Sequence, residues 1–282
     1  MSGVLESMSI AIEDALVAKN LRGMASVRST LKAGYCARAA KTLFSAKGVA
    51  LIGTGFPVTD TFETDGPLGA IALYQALEAV GSMPYIVCGA PLSKALRDDY
   101  RIVEIEVGKH DYQEQEARAV LDDLQPSVVL SIERPGQAQD GNYYNMRGED
   151  ISARTACFDT FMRQASCPTI AIGDGGNEIG MGNVVEALET LDIVASATTC
   201  DELIVADVSN WGGYGLITLM GYLAKRDLLA EFNPTQTLQY LSKLGSVDGV
   251  TRLNQLTEDG LDSSVGDALI LQLRKLSGFD VS

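Results

Sequence analysis

The chain has 282 residues, of which 46% are hydrophobic and 21% are charged. This composition provides enough apolar side chains for a sizeable core and excludes a disordered or fibrous protein. Its 22 basic and 37 acidic residues give a formal net charge of −15, so the surface should repel nucleic acids and anionic membranes.

The cysteine and histidine content limits the kinds of site that the chain can build. The five cysteines are odd in number and no two are spaced as C-x-x-C, which argues against a disulfide framework and a cysteine-based zinc site. The single histidine, His110, stands in a polar stretch and is expected at the surface. The sequence shows no signal-peptide pattern and no run of about 18 apolar residues, so we expect a cytoplasmic protein without a membrane partner.

The first segment is predicted to be helical, because Leu5, Met8, Ile12 and Leu16 recur at helical spacing. A second helical stretch is expected before Tyr35. Beyond it, short apolar runs alternate with longer amphipathic segments. Strands are predicted at 48–53, 84–89, 101–107, 127–132, 168–173 and 203–207. Further helices are predicted at 66–82, 111–124, 152–165, 213–227, 234–243 and 262–276.

Short apolar strands that alternate with helices are typical of βαβ units. The predicted fold class is therefore α/β, a three-layer α/β/α sandwich around a mainly parallel, Rossmann-like sheet. No linker-like segment divides the chain, so we expect a single domain over residues 1–282, with the helical segment 1–47 packed on it. The sequence leaves assembly into a homo-oligomer open.

Acidic residues follow the predicted strands at the edge where such sheets bind ligands. Glu133 follows the fourth predicted strand, and Asp174 and Glu178 follow the fifth. Several carboxylates in one hollow repel each other unless some are protonated or a cation lies among them. Oxygen ligands favour Mg²⁺, Mn²⁺ or Ca²⁺ over zinc. We therefore predict a metal site formed by Glu133, Asp174 and Glu178, with Asp140 behind them.

Each of these features also has a purely structural interpretation. An acidic residue after a strand can simply cap the next helix, as Asp207 could after the sixth predicted strand. The glycine-rich stretch 173–182 can be only a tight turn, and its first half lacks the third glycine of the dinucleotide motif G-x-G-x-x-G. Arg134 and Arg147 can form internal ion pairs or bind a substrate carboxylate in a bidentate manner. The binding alternative, together with a metal, describes a pocket for a small acidic substrate.

Three stretches resemble the D-glutamate cyclase family, and they occur in the family's order over most of the chain. They are GTGFP at 53–57 with ETDGPLG at 63–69, ERPG at 133–136 with DGNYYNMRG at 140–148, and GDGGNEIGMG at 173–182. In larger relatives this domain is joined to an N-terminal one, and the present chain resembles the cyclase-like domain alone. The resemblance implies a lyase of the hydro-lyase type that closes D-glutamate, or a related acidic amino acid, into 5-oxoproline with loss of water. It also implies a divalent metal cofactor, Mn²⁺ or Mg²⁺.

The implied reaction suggests roles for residues near the strand ends. A metal held by Glu133, Asp174 and Glu178 would act as a Lewis acid on the substrate carboxylate and stabilise the oxyanion. Asp140 or Asp65 would accept the proton that the substrate ammonium must lose. The residues expected to bind and orient the substrate are Thr54, Glu63, Arg134, Asn142, Arg147 and Asn177.

Two other functions fit the same residues. A metal-dependent phosphohydrolase could hold a metal at the acidic edge and a phosphate at the glycine-rich stretch, although the chain lacks a G-x-x-x-x-G-K-[ST] motif. A non-catalytic binding protein for small acidic ligands would show metal-dependent binding without turnover.

Overall fold

The computed structural model describes residues 2–108 and 111–279, so His110 lies outside the described residues. The helices are α1 Ser2–Leu16, α2 Met24–Thr30, α3 Tyr35–Ser45, α4 Pro67–Ala79, α5 Leu92–Leu96, α6 Gln113–Leu124, α7 Asp159–Gln164, α8 Val185–Leu188, α9 Ser209–Ala224, α10 Pro234–Lys243 and α11 Ser263–Leu276. The strands are β1 Val49–Gly53, β2 Pro57–Val58, β3 Thr61–Phe62, β4 Met83–Cys88, β5 Ile102–Glu104, β6 Val128–Ile132, β7 Thr169–Gly173, β8 Glu202–Val205, β9 Thr257–Glu258 and β10 Leu261–Asp262.

Six of these strands form one parallel sheet in the order β5-β4-β1-β6-β7-β8. In its centre, Ile52 of β1 lies opposite Ile86 of β4 and Leu130 of β6. β6 and β7 are buried along their whole length. Strands covered on both faces are mostly apolar rather than alternating, which is why these two are visible in the sequence as the runs VVLSI and TIAIG. The parallel sheet and its flanking helices confirm the predicted three-layer, Rossmann-like α/β fold.

The order of the strands reverses between β1 and β6. From β1 the chain moves outward to β4 and β5, and it then returns to β6 on the other side of β1. At such a point the loops leave the sheet in opposite directions and open a crevice at the carboxyl ends of the strands. Thr54 follows β1 and Glu133 follows β6, so both residues lie at the crevice.

The helices that precede the first strand pack against the helices of the sheet. α3 contacts α9 and β8, and α1 contacts α3, α9 and α11. Ile12, Leu16 and Leu43 are fully buried in these contacts, and burying each side chain contributes roughly 1.5–3 kcal/mol. None of the described helices combines the length and the apolar character that crossing a bilayer would require.

One predicted helix has a different structure. Residues 152–165 form a 3₁₀ turn at Ser152–Arg154, an extended stretch and then α7, which begins only at Asp159. The extended stretch is held by long-range contacts, because Ala156 pairs with Val107 in an antiparallel bridge and its carbonyl accepts a hydrogen bond from Arg134. These contacts outweigh the local helical pattern.

The structure also contains elements that were not predicted, among them the short helices α5 and α8. The sequence prediction ended its second helix before Tyr35, whereas the chain forms α2 and then a separate helix, α3. Two antiparallel hairpins, β2–β3 and β9–β10, lie outside the main sheet. They matter for function, because the first hairpin leads into Glu63 and the second has Asp259 in its turn.

Candidate active site

A cavity of about 270 Å³ opens at the carboxyl ends of the sheet strands, and we call it the acidic cavity. Nine charged residues line it. They are Glu63, Glu133, Glu149, Asp174 and Asp259, together with Arg22, Arg147, Arg154 and Arg252. The acidic cavity therefore combines carboxylates, which can bind cations, with guanidinium groups, which can bind a carboxylate.

Glu133, Asp174 and Glu178 come close together at the base of this site. One carboxylate oxygen from each lies within 4.8 Å of the others, and all three residues are buried. Burial raises the pKa of Glu133 well above its usual range, and the charges of Glu178 and Asp65 raise it further. Burial also raises the pKa of Asp174, although the neighbouring Arg22 opposes that shift. A cation among these oxygens would relieve both burial and repulsion.

Glu133 is held in place by its backbone and by α9. Its φ angle of 41° lies in the left-handed region, and the Ser209 hydroxyl donates to its Oε2 at 2.6 Å. The chain also approaches very closely here, because a Cβ atom at Gly66 would lie 2.7 Å from the Glu133 Cβ. Gly66 itself has a φ of +89°, so a glycine is needed for both the turn and the approach.

Asp65 joins the N-terminal ends of two helices. Its Oδ1 accepts the amides of Gly66 at 2.9 Å and Asn210 at 2.8 Å. Its Oδ2 accepts the Ser209 amide at 2.9 Å, and the same amide donates to Asp174 Oδ2 at 3.2 Å. Amides at helix N-termini stabilise negative charge. Asp65 nevertheless has a pKa raised to about 7, chiefly because it is buried.

Arg22 enters the site from the loop between α1 and α2. Its Nη1 lies 2.8 Å from Asp174 Oδ1 and 2.6 Å from Asp259 Oδ2. Asp65, Asp174 and Asp259 form a second group of carboxylate oxygens within 4.8 Å of one another. The Arg22 guanidinium therefore partly neutralises this second group.

Asp207 fixes the loop that carries Arg22. Its two carboxylate oxygens accept the amides of Lys19 at 2.7 Å and Leu21 at 3.1 Å. It is not among the residues that line the acidic cavity. Asp207, which ends the sixth predicted strand, thus caps backbone amides of the loop between α1 and α2 and not those of the helix that follows it.

The glycine-rich stretch after β7 forms a tight turn around Glu178. The Glu178 oxygens accept the amides of Gly175 at 2.8 Å and Gly176 at 2.7 Å. Asn177 is 2% exposed and its Nδ2 donates to the Tyr144 carbonyl at 2.9 Å. The buried Oδ1 of Asn177 has no partner among the described residues, so it is an acceptor that a ligand in the acidic cavity could use.

The remaining predicted site residues fall into two groups. Glu63 and Arg147 line the acidic cavity, as do Glu133, Asp174 and Asn177. Asp140 and Asn142 do not; Asp140 accepts hydrogen bonds from the Asn142 amide and the Tyr144 hydroxyl in a surface turn.

Thr54 and Arg134 line a neighbouring cavity instead. Arg134 is 2% exposed and donates to the carbonyl oxygens of Thr54, Gly55 and Ala156. The structure thus brings five of the predicted residues to one cavity and places Glu178 and Asp65 next to residues that line it. It separates the other predicted residues from this cavity, namely Thr54, Arg134, Asp140 and Asn142.

Sequence reasoning missed Arg22, Asp259 and the role of Ser209. Nothing in the spacing around Arg22 indicates a site, because its partners lie far along the chain. Asp259 precedes Gly260, and an Asp-Gly pair between short strands is a recognised hairpin signal. Both have positive φ, 51° and 77°, as a type I′ turn requires. That signal could have located the second hairpin, although not its position over the sheet edge.

Comparison with known proteins gives three findings. The family model described as "D-glutamate cyclase-like, C-terminal" matches residues 12–274. Human mitochondrial D-glutamate cyclase is 35% identical over 206 residues, which cover 64% of this chain and 33% of that protein. The chain therefore spans about a third of the length of this relative.

Among solved structures, an exopolyphosphatase-related protein from Bacteroides fragilis aligns with a TM-score of 0.45 and 11% identity, over 89% of this chain and 58% of that one. We draw nothing from so distant a likeness. The family model, in contrast, covers nearly the whole chain and includes every residue of the acidic cavity. The chain belongs to the family of D-glutamate cyclase-like C-terminal domains.

Proposed function

We propose that this chain is a divalent-metal-dependent enzyme that converts D-glutamate, or a related acidic amino acid, to 5-oxoproline with loss of water. Membership of the family and the identity with human D-glutamate cyclase support a cyclase-like activity. The observation that carries the proposal is the acidic cavity, in which buried carboxylates and several arginines face the same space. The net charge of −15 also favours a small-molecule substrate over a nucleic acid.

The residues at the base of the acidic cavity fit Mn²⁺ or Mg²⁺. Glu133, Asp174 and Glu178 offer only oxygen atoms, within 4.8 Å of one another, and these ions prefer oxygen ligands. The unpartnered Oδ1 of Asn177 provides another oxygen in the same cavity. When bound, the ion would supply Lewis-acid activation of a substrate carboxylate, which is otherwise a poor electrophile.

The arginines at the mouth of the acidic cavity are suited to the substrate's carboxylates. Arg147 is exposed, and its contact with the Val250 carbonyl is long, at 3.5 Å. Its guanidinium is therefore available to bind the α-carboxylate through two hydrogen bonds. The ammonium group of the substrate would then point towards the carboxylates and the Asn177 Oδ1. This orientation would hold the amine near the side-chain carboxyl group that the amine attacks.

Glu63 is the best-placed residue to accept the proton of the ammonium. It is buried, lines the acidic cavity and receives no side-chain hydrogen bond among the described residues. Asp140 lies outside the cavity, and the oxygens of Asp65 already accept three amides. In the reaction a bond forms between the amine nitrogen and the side-chain carboxyl carbon, and a carbon–oxygen bond breaks. The nitrogen gives up two protons, one before the attack and one as the lactam forms, and both leave with the released oxygen as water.

The test is a direct assay of cyclisation. The protein is incubated with D-glutamate or L-glutamate, with Mn²⁺, Mg²⁺ or EDTA, and the product is identified by mass spectrometry against a protein-free control. We expect metal-dependent loss of one water from glutamate. Phosphate esters serve as a parallel substrate set, and we expect no phosphate release.

Variants connect the activity to the proposed residues. Glu133→Gln and Asp174→Asn should lower kcat by at least about 100-fold and weaken Mn²⁺ binding in calorimetry. Glu186→Gln removes a carboxylate from an exposed position of α8 and is the matched control. Full activity in both active-site variants, or activity that survives EDTA, would reject the proposal.

A further inference from the structure

A second cavity, of about 220 Å³, lies beside the acidic cavity and over the ends of β1 and β4. Phe56, Pro57, Thr59 and Arg154 line both cavities and form the wall between them. The second cavity differs from the first in its charge, because Asp60, Arg134 and Arg154 are the only charged residues among the described ones that line it. Its apolar lining includes the buried Leu92. A small, mainly apolar cavity with a few polar groups is typical of a ligand site.

Arg134 provides a buried positive charge in the wall of the second cavity. Its Nη1 donates to the carbonyls of Thr54 at 2.6 Å and Gly55 at 3.1 Å, and its Nη2 donates to the Ala156 carbonyl. A guanidinium has five N–H groups. In the described part of the chain, two of them therefore have no acceptor, and Nε is one of these.

No carboxylate in the described ranges pairs with Arg134. The fully buried Asp159 instead accepts hydrogen bonds from the Tyr143 hydroxyl at 2.7 Å and the Gln137 amide at 2.9 Å. The Phe158 ring lies 6.0 Å from the Arg134 Cζ, which gives a cation–π contact but no opposite charge. Burial lowers the pKa of Arg134, and the charge of Asp159 opposes that shift from beyond ion-pair distance. Buried charges are normally paired directly, so this arginine lacks an anion in contact with it.

We propose that the second cavity binds a compact monocarboxylate with an apolar body, and that its occupant is the ring-closed product. This inference rests on the proposed function. Ring closure removes the ammonium and one carboxylate from glutamate, so the product keeps only one of the charged groups that suit the acidic cavity. The remaining carboxylate suits the unpaired Arg134, and the ring suits Phe56 and Leu92. Because the cavities share a wall, the second cavity lies next to the place where the product would form.

The experiment measures binding of 5-oxo-D-proline by calorimetry and locates it from methyl NMR shifts. Leu92 and Val107 report on the second cavity, whereas Val58 and Val250 line only the acidic cavity. We expect shifts at Leu92 and Val107. The uncharged lactam pyrrolidin-2-one should bind at least about tenfold more weakly, because it lacks the carboxylate.

Two variants test the second cavity by independent means. Arg134→Met removes the charge, and Ala153→Phe fills the cavity from an exposed position that lines only this space. Each should weaken 5-oxo-D-proline binding by at least about tenfold. If Arg134→Met fails to fold, the result with Ala153→Phe alone shows whether 5-oxo-D-proline binds in the second cavity. Ala33→Phe, at an exposed position that lines neither cavity, is the control and should leave binding unchanged.

Failure of this inference is distinguishable from failure of the proposed function. The product site would be overturned if 5-oxo-D-proline does not bind. It would also be overturned if the shifts are confined to Val58 and Val250 and binding is lost in Glu133→Gln, because the product would then occupy the acidic cavity. Binding that survives Glu133→Gln and is lost in Ala153→Phe would support it. If glutamate is never cyclised while this binding pattern holds, the cyclase proposal falls and the monocarboxylate site stands.

Discussion

Arg22 neutralises two carboxylates of the acidic cavity through a single nitrogen. Its Nη1 contacts Asp174 at 2.8 Å and Asp259 at 2.6 Å, and the Asp174 side chain is only 3% exposed. The neighbouring charges and the salt bridges raise the pKa of Arg22, so the group stays charged at any relevant pH. Without it, the carboxylates would face one another across the cavity with no cation between them.

Replacing Arg22 with methionine should therefore destabilise the metal-free protein and make metal binding more favourable. Breaking a buried ion pair costs about 3 kcal/mol, and the loss of a positive charge strengthens the attraction for a divalent ion. We expect a larger increase in Tm on addition of Mn²⁺, and a lower Kd for Mn²⁺, than in the wild type.

The matched control for this change is Arg252→Met. Arg252 also lines the acidic cavity, but its partner Glu149 is 51% exposed and the pair is open to solvent. Such pairs contribute little to stability, and solvent screens the charge of an arginine in such an open pair. The increase in Tm with Mn²⁺ and the Kd for Mn²⁺ should therefore stay close to those of the wild type. A Mn²⁺ affinity unchanged or weakened by Arg22→Met would contradict the prediction.

At the scale of elements, Asn210 connects α4 and α9. Its Oδ1 accepts the amides of Gly66 at 2.9 Å and Gly69 at 2.7 Å, and its Nδ2 donates to Glu258 at 3.0 Å. The helices approach closely at this point, because a Cβ at Gly69 would lie 2.9 Å from the Asn210 Cα. The contact fixes the ends of both helices against Asp65.

Asn210→Ala should lower the free energy of unfolding by about 2 kcal/mol, because the buried Gly69 amide loses its acceptor. Asn233→Ala is a useful comparison, since Asn233 caps only α10, through an exposed hydrogen bond from the Gln236 amide. Loss of that cap should cost about 1 kcal/mol. Equal effects in urea unfolding would argue that Asn210 acts as an ordinary helix cap.

The elements also show how far the sequence predicts this structure. Buried parallel strands such as β6 and β7 were predicted because they are mostly apolar, and Glu133 and Asp174 were predicted because they directly follow those strands. α9 begins at Ser209, four residues before the predicted start at 213, because its first amides are capped by Asp65 from a distant loop. Arg22 and Asp259 come from segments outside the sheet, and only tertiary packing brings them to the site.

At the scale of the whole molecule, several buried carboxylates make stability depend on pH. Burial and, after it, the charge of Asp65 together raise the pKa of Glu258 to about 8. A carboxylate with a raised pKa binds its proton more tightly in the folded state than in the unfolded state. Stability therefore falls as the pH rises from the unfolded value of 4.5 to the folded value of about 8.

Glu258→Gln should make this dependence less steep, because glutamine does not titrate. Over the interval between the two pKa values, one proton contributes about 1.4 kcal/mol per pH unit. The free energy of unfolding is measured in EDTA from about pH 5 to about pH 9. Parallel curves of unfolding free energy against pH for Glu258→Gln and the wild type would contradict the raised pKa of Glu258. The control is Glu186→Gln, at an exposed position, which should leave the slope unchanged.

The bond between Arg22 and Asp259 joins positions 237 residues apart. Chimaeras between this chain and its relatives would therefore separate the two partners whenever only one end of the sequence is exchanged. Such hybrids should fold stably only when the segment that carries Arg22 and the segment that carries Asp259 come from the same parent. Among natural relatives, the same constraint should appear as paired substitution at these two positions.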